Sequence, residues 1–419
     1  MVPVTPATWV EMHASETPDA PALSLADGEV SYAQLAVLVR RRVESIDAPG
    51  DVVTAIVVRN DLASIVEILA TQVAGGCAMP VAAPIAQPTG RPREGHILAL
   101  RTSGSSGTQK VVPLTMANIS SSAAASRMRL GTGYDDRWLA CLPFNHIGGL
   151  SVLFRSFEAG GCAVVAPFDG AIGGIIDDLK PTTASMVPTM VHRLLASNPD
   201  GLAQLRWVLT GGASTTRSLL ESATSHDVLL VQTFGMTEAA SQVASVVPGE
   251  PSRHAGYVGH PLEGTIATAP GGTPQNPVAI SIDGPTVFDG YLNGPIREGP
   301  FQTSDVGWFD DQGGLTVAGR LDDTVITGGV NVSLRHIEDA LCSIEDVRDA
   351  VVVAIGDEEW GQRVCAMVAT DLGIAELRRI MSGELDDAEV PRSWLTRGDL
   401  PLLSNGKHDI VAVRRAFER

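Results

Sequence analysis

Lysine is nearly absent from this chain. Of 30 basic residues only Lys110, Lys180 and Lys407 are lysines, the rest being arginine. A sequence that has all but abandoned lysine keeps one by chance, or where a compact, mobile ammonium does what a planar guanidinium cannot. Positive charge is also scarce overall: 48 acidic residues leave a net charge of −18. That excludes nucleic acid and anionic membranes as general partners, since both are polyanions. Paired cysteines are missing too. Cys77, Cys141, Cys162, Cys342 and Cys365 form no CxxC pair, which argues against a disulfide framework or a zinc site and fits a reducing, cytoplasmic setting. The N-terminal residues show no basic and apolar leader pattern. No apolar run is long enough to span a membrane either, for Leu62–Ala86 is broken by Glu67, Gly75, Gly76, Pro80 and Pro84.

Apolar residues, by contrast, make up 44% of the 419 positions and charged ones only 19%, so the chain has ample material for a core, and its length suggests two domains. Tyr32–Ile46 reads as an amphipathic helix carrying Leu35, Leu38, Val39 and Val43 on one face. DVVTAIVVR (51–59) reads as a buried strand, followed by a helix and a further strand at 78–82. The segments WLACLP, GCAVVAP, TASMVP, WVLTGG and VLLVQTFG then repeat a short apolar strand running into a loop. This alternation predicts an α/β fold with parallel-type sheets, in which ligands sit beyond the carboxyl ends of the strands. After Glu250 Gly and Pro become dense, as in a small β subdomain. From Leu321 onward the pattern is that of a small α+β unit. The expected division is a large domain over 1–320 and a small C-terminal domain over 321–419.

Chemistry-bearing residues concentrate in a few places. TSGSSGTQK (102–110) packs two glycines, five hydroxyls and a lysine into nine residues. Such a loop can cradle phosphate oxygens with backbone N–H groups and hydroxyls while the lysine supplies charge, although a plain surface loop has similar composition. It is not a Walker A sequence, because Val111 follows the lysine. FGMTE (234–238) places Thr237 and Glu238 on a turn that suits a phosphate and its Mg²⁺, or simply caps a helix. TSD (303–305) offers a carboxylate that can take both ribose hydroxyls, or serve as a turn aspartate. Asn405-Gly406-Lys407 puts a lysine near the C-terminus, where most lysines are merely solvated.

These segments, in this order, resemble those of the adenylate-forming superfamily of acyl- and aryl-CoA ligases, luciferases and peptide-synthetase adenylation domains. That family carries a TSGTTGxPKG-like loop, a [YF]GxTE turn, TGD, a GRxDD hinge and a C-terminal NGK; here they read TSGSSGTQKV, FGMTE, TSD, GRLDD and NGK. The resemblance spans roughly residues 20–410. It implies that Thr102, Ser103, Gly104, Ser105, Ser106, Gly107 and Lys110 hold the outer phosphates of ATP. It implies further that Gly211, Gly212 and Ala213 border the adenine, that Thr237 and Glu238 bind phosphate and Mg²⁺, and that Asp305 and Arg320 hold the ribose. Asp322 would be the hinge of a mobile C-terminal domain, and Lys407 would stabilise displacement of pyrophosphate. Gln109, Val111, Ser304 and Val330 depart from the family pattern. None removes a charged group from the ATP chemistry, although Val330 stands where a glutamate is common.

The acid is addressed by LPFNHIGGLSVLFRSF (142–157). His146 is expected on the ligand-bearing rim, as a substrate or catalytic residue or as a helix cap. Arg155 lies in an otherwise apolar run and therefore needs a partner, either a structural carboxylate or a ligand. This segment, FGMTEAASQ with Ser241, and LPLLSNGK are similar to o-succinylbenzoate–CoA ligases of menaquinone synthesis. The resemblance implies an acid with two carboxylates, one activated and one held by Arg155, with ATP, Mg²⁺ and coenzyme A as the other reactants. Another aryl- or short acyl-CoA ligase, a carrier-protein-loading enzyme, and a non-catalytic nucleotide-binding relative are the alternatives. A homodimer is left open.

Overall fold

A computed structural model describes residues 4–46, 52–86, 88, 90–102, 110–169, 171–250, 254–403 and 406–418, with the Asp322 side chain left out. Ser103, Gly104, Ser105, Ser106 and Gly107 of the glycine-rich loop lie outside the described residues, as do Ser404 and Asn405.

The short apolar segments form the middle of a nine-stranded sheet. Pro21–Leu25, Cys162–Val165, Arg137–Ala140, Thr183–Met186, Trp207–Thr210 and Leu230–Met236 lie side by side and parallel. They are continuous apolar runs because helices cover both faces, so alternation has no solvent face to serve. Trp138 and Trp207, both at most 2% exposed, meet edge to face at 5.2 Å on neighbouring parts of this core. Gly28–Ser31 at one end, and Ser241–Ser245 and His260–Pro261 at the other, add antiparallel edges.

A second sheet holds Val53–Val57, Cys77–Val81, His96–Thr102 and Lys110–Thr115; the first three are parallel and the last returns as a hairpin that pairs Thr102 with Lys110. The expectation of a buried strand over 51–59 is corrected here. The strand is shorter and forms the sheet's edge, which leaves Val57 50% exposed. The helix expected over 32–46 ends at Val43; it starts at a capping box in which Ser31 Oγ accepts from Gln34 N and Gln34 Oε1 accepts from Ser31 N. Its buried face is Leu35, Ala36 and Val39.

The Gly- and Pro-rich stretch builds an antiparallel sheet of Ile266–Thr268, Val278–Asp283, Phe301–Phe309 and Leu315–Arg320. Beyond it Val347–Asp357 and Gly361–Thr370 form a long antiparallel pair, flanked by Thr324–Thr327, Val330–Ser333 and Ser393–Arg397. The helix Leu334–Cys342 packs on this sheet, with Leu334, Ile337 and Leu341 buried in a core that draws its residues from Val325 onward. No helix among the described residues is long and apolar enough to cross a membrane. All five cysteines are buried free thiols, as small apolar core residues are.

Candidate active site

The carboxyl ends of the parallel strands converge on one cavity of about 170 Å³. Arg137–Ala140 leads into the loop bearing Pro143 and His146. Thr183–Met186 leads to Val187, Trp207–Thr210 to Gly211 and Gly212, and Leu230–Met236 to Thr237. From the predicted set, His146, Arg155, Gly211, Gly212, Thr237, Ser241 and Lys407 stand in its wall, while Thr102, Lys110, Ala213, Glu238, Asp305 and Arg320 lie outside it.

His146 occupies the N-cap position of the helix Ile147–Ala159 without capping it through its side chain. The loop can turn so tightly because Gly149 lies against it: a Cβ there would sit 2.4 Å from the carbonyl oxygen of Leu142 and 2.5 Å from that of Pro143. Asn145 Nδ2 lies 3.2 Å from His146 Nε2, within hydrogen-bonding distance. Burial, and secondarily the charge of Lys407, lowers the His146 pKa to about 4. It is a neutral imidazole at physiological pH.

Two turns along the same helix, Arg155 is only 2% exposed. Its Nη2 donates to Ser241 Oγ at 2.9 Å and its guanidinium lies 5.3 Å from the centre of the Trp138 ring, while Nε has no hydrogen-bond partner. The sequence demanded a partner for this charge, and the structure supplies a hydroxyl and an aromatic face; no carboxylate pairs with it among the described residues. Burial pulls its pKa down to about 9. Ser241 takes φ +117° and Ala240 φ +50°, left-handed conformations unusual for residues with a Cβ. They are held from the helix Met116–Leu130, where Ser122 Oγ donates to Ala240 O at 2.8 Å and Ser126 Oγ to Gln242 Oε1 at 2.6 Å. Ser241 also donates to Ser151 Oγ at 3.3 Å, so the anchor of Arg155 is itself anchored.

Lys407 closes the cavity from the C-terminal unit. The residue as a whole is exposed, yet its ammonium end is tucked in: a Cβ on Gly212, whose φ is +79°, would lie 3.1 Å from Lys407 Cε and 3.4 Å from Nζ. Thr189 Oγ1 donates to Gly406 O at 2.5 Å and fixes the turn before it. Desolvation, then the nearby Arg320, lowers the Lys407 pKa, and Asp305 opposes this. Asp305 and Arg320 are cross-strand partners in register, with carboxylate and guanidinium 3.8 Å apart. Asp305 is therefore a mid-strand residue rather than part of a turn.

Glu238 sits on the single 3-10 turn Thr237–Ala239 that follows the last parallel strand. Tyr291 donates its hydroxyl to Glu238 Oε1 at 3.0 Å, and Lys110 Nζ lies 4.6 Å from the centre of the Tyr291 ring. Tyr291, Ser151 and Trp138 were not singled out in the sequence. Each is an ordinary core or loop residue by pattern, and becomes informative only through partners distant along the chain. The donor set around Glu238, a carboxylate beside a threonine hydroxyl, is chemically apt for Mg²⁺ alongside phosphate oxygens.

Two family descriptions match the chain: AMP-binding enzyme over residues 84–292 and AMP-binding enzyme C-terminal domain over residues 336–407. Among curated proteins it is 36% identical to a 2-succinylbenzoate–CoA ligase of Bacillus licheniformis, over 73% of this chain and 67% of that one. It is 35% identical to a protein of the same name from Geobacillus, over 72% and 65%. The aligned region thus spans about two thirds of the length of these relatives. Among solved structures, ATP-bound MatB of Rhodopseudomonas palustris superposes with a TM-score of 0.86 at 23% identity, covering 98% of this chain and 99% of that one. O-succinylbenzoate coenzyme A synthetase (MenE) of Bacillus subtilis, in complex with ATP and magnesium ion, gives 0.82 at 25% identity, covering 96% and 98%. By motif, fold and relatives together, the chain belongs to the AMP-binding enzyme family.

Proposed function

We propose that this chain is an ATP-dependent carboxylate–CoA ligase that works through an acyl-adenylate, with 2-succinylbenzoate as the acid, in menaquinone synthesis. In the first step a carboxylate oxygen attacks the α-phosphorus of ATP, the bond to pyrophosphate breaks, and an acyl-AMP remains. In the second the thiol of coenzyme A attacks the acyl carbon and AMP leaves. Lys407 places an ammonium where negative charge builds on the α-phosphate and the attacking carboxylate. Gly211, Gly212 and Ala213 border the adenine, and Asp305 and Arg320 hold the ribose. Thr102, Lys110 and Thr237 attend the phosphates, as do Ser103, Gly104, Ser105, Ser106 and Gly107. Mg²⁺, where bound, would be held by Glu238 and would neutralise phosphate charge. For the second step the C-terminal unit over 321–419 turns about Asp322, withdrawing Lys407 and admitting the thiol. The five free thiols support a reducing, cytoplasmic setting for this work.

The observation that carries the choice of acid is Arg155. A guanidinium buried to 2% exposure, with no carboxylate partner among the described residues, is costly to keep. It lines the cavity that His146 and Lys407 share, so the second carboxylate of a diacid completes it. His146, neutral and half-buried in the wall of the same cavity, is suited to orient the aromatic acid by hydrogen bonding. Arg155→Met is expected to raise KM for 2-succinylbenzoate by about 10- to 100-fold, the worth of a charge-assisted hydrogen bond, while leaving KM for benzoate within about two-fold. The measurement is steady-state pyrophosphate release with each acid in the presence of coenzyme A. Equal change for both acids would make Arg155 a packing residue and remove the ground for a diacid.

A further inference from the structure

The loop after Pro285 ties together two segments that lie far apart along the chain. At one end Phe288 N donates to the carbonyl oxygen of Glu238 at 2.8 Å; at the other, Leu292 N donates to the carbonyl oxygen of Val111 at 2.9 Å. Val111 follows Lys110 on the hairpin strand, so the loop bonds the backbone at, or next to, both charged residues. Its middle is pinned independently. The Asp289 carboxylate forms an ion pair with Arg93 Nη1 and accepts from His96 Nε2, each at 3.0 Å, and its carbonyl oxygen accepts from Arg297 N at 2.8 Å.

From this bracket one side chain reaches both charges. The Tyr291 hydroxyl donates to Glu238 Oε1 at 3.0 Å, and the face of its ring receives Lys110 Nζ at 4.6 Å from the centre. The ring cannot swing away freely, because Phe288 packs edge-on against it at 4.9 Å and Phe301 at 6.5 Å. A tyrosine here does two things that no aliphatic residue can. Its hydroxyl takes up one oxygen of the carboxylate, fixing the plane in which the other points. Its negative ring face holds an ammonium that is otherwise exposed on a long, flexible stem.

We infer that Tyr291 is a positioning residue for the MgATP site: it sets the distance and orientation between Lys110, which meets the phosphates, and Glu238, which holds the metal. The inference rests on the nucleotide site described above and adds to it a residue that separates two functions. The hydroxyl serves the metal-linked carboxylate and the ring serves the lysine, so the two can be removed one at a time. Tyr291→Phe keeps the ring and its packing and removes only the hydrogen bond. Tyr291→Leu removes both.

Calorimetric titration without any acid present tests this, using MgATP and, in parallel, ATP with excess chelator, on the wild-type chain and both variants. Tyr291→Phe is expected to weaken MgATP binding about ten-fold and to leave metal-free ATP within about two-fold, since a hydrogen bond to a charged group is lost only on the metal side. Tyr291→Leu should in addition weaken metal-free ATP by about two- to five-fold, the worth of an exposed cation–π contact. Unchanged MgATP binding by Tyr291→Phe, or equal weakening of both forms, would overturn the inference by reducing Tyr291 to a packing role. A wild-type chain that binds neither form would overturn the nucleotide site itself, and the inference with it.

Discussion

Arg155 shows how a single residue can be expensive and still be kept. Its neighbours Val152, Leu153, Phe154 and Phe157 are at most 3% exposed, and burial alone drags its pKa down to about 9. Replacement by an isosteric apolar residue therefore removes a desolvated charge, so Arg155→Met is expected to hold or raise the thermal midpoint even as it spoils the use of a diacid. His146 makes the complementary case. Its pKa falls from an ordinary 6.5 to about 4 on folding, chiefly through burial. Because the unfolded chain takes up a proton more readily, the contribution of the neutral ring to stability is complete above about pH 6.5 and is lost as the pH falls towards 4. Denaturant melts over that range should show a shallower dependence on pH for His146→Gln than for the parent. An unchanged slope would mean that His146 is solvated and charged as in a peptide.

Elements explain why these residues meet. The run from Leu142 to Phe157 delivers His146 and Arg155 from one helix because its first turn is forced into the cavity rim by Gly149. A methyl there would collide with backbone oxygens at 2.4 and 2.5 Å, which cannot give way as a flexible side chain can. Gly149→Ala should therefore cost about 1–3 kcal/mol in urea unfolding and should impair turnover of every acid alike, since it displaces His146 rather than Arg155. At this scale much was legible in the sequence. Short apolar runs that end in Gly, Pro or His announce parallel strands with their loops on one rim, and the rim is where the cavity lies. What could not be read was conformation that depends on a distant partner. Ser241 adopts φ +117° because Ser122 and Ser126 grip its neighbours from the helix Met116–Leu130, and nothing in ASQV signals it. Val53–Val57 looked buried because its composition matches that of the central strands; its place at a sheet edge is a property of the pairing, not of the run.

The whole molecule returns to its few lysines. Lys110 stands on the ring of Tyr291 and Lys407 against Gly212, while Lys180 caps the helix Ile172–Leu179 in the open. Motifs were legible because each is local; their assembly was not, since it needs the C-terminal unit folded back onto the sheet. Thr189 bonded to Gly406, with Val187 and Met190 packed around that glycine, is the contact that brings Lys407 into the cavity. The same chain must later let it go if one cavity is to serve two half-reactions. The central claim is thus that Lys407 acts in adenylation alone, and it is tested most directly by measuring the two half-reactions separately in Lys407→Ala. Acyl-AMP formation from 2-succinylbenzoate and MgATP should fall by about 100-fold or more, as when an electrostatic stabiliser of the transition state is removed. Thioester formation from supplied acyl-AMP and coenzyme A should stay within about three-fold of the parent, because the thiol step needs no charge at the α-phosphate. Equal loss in both half-reactions would contradict the account.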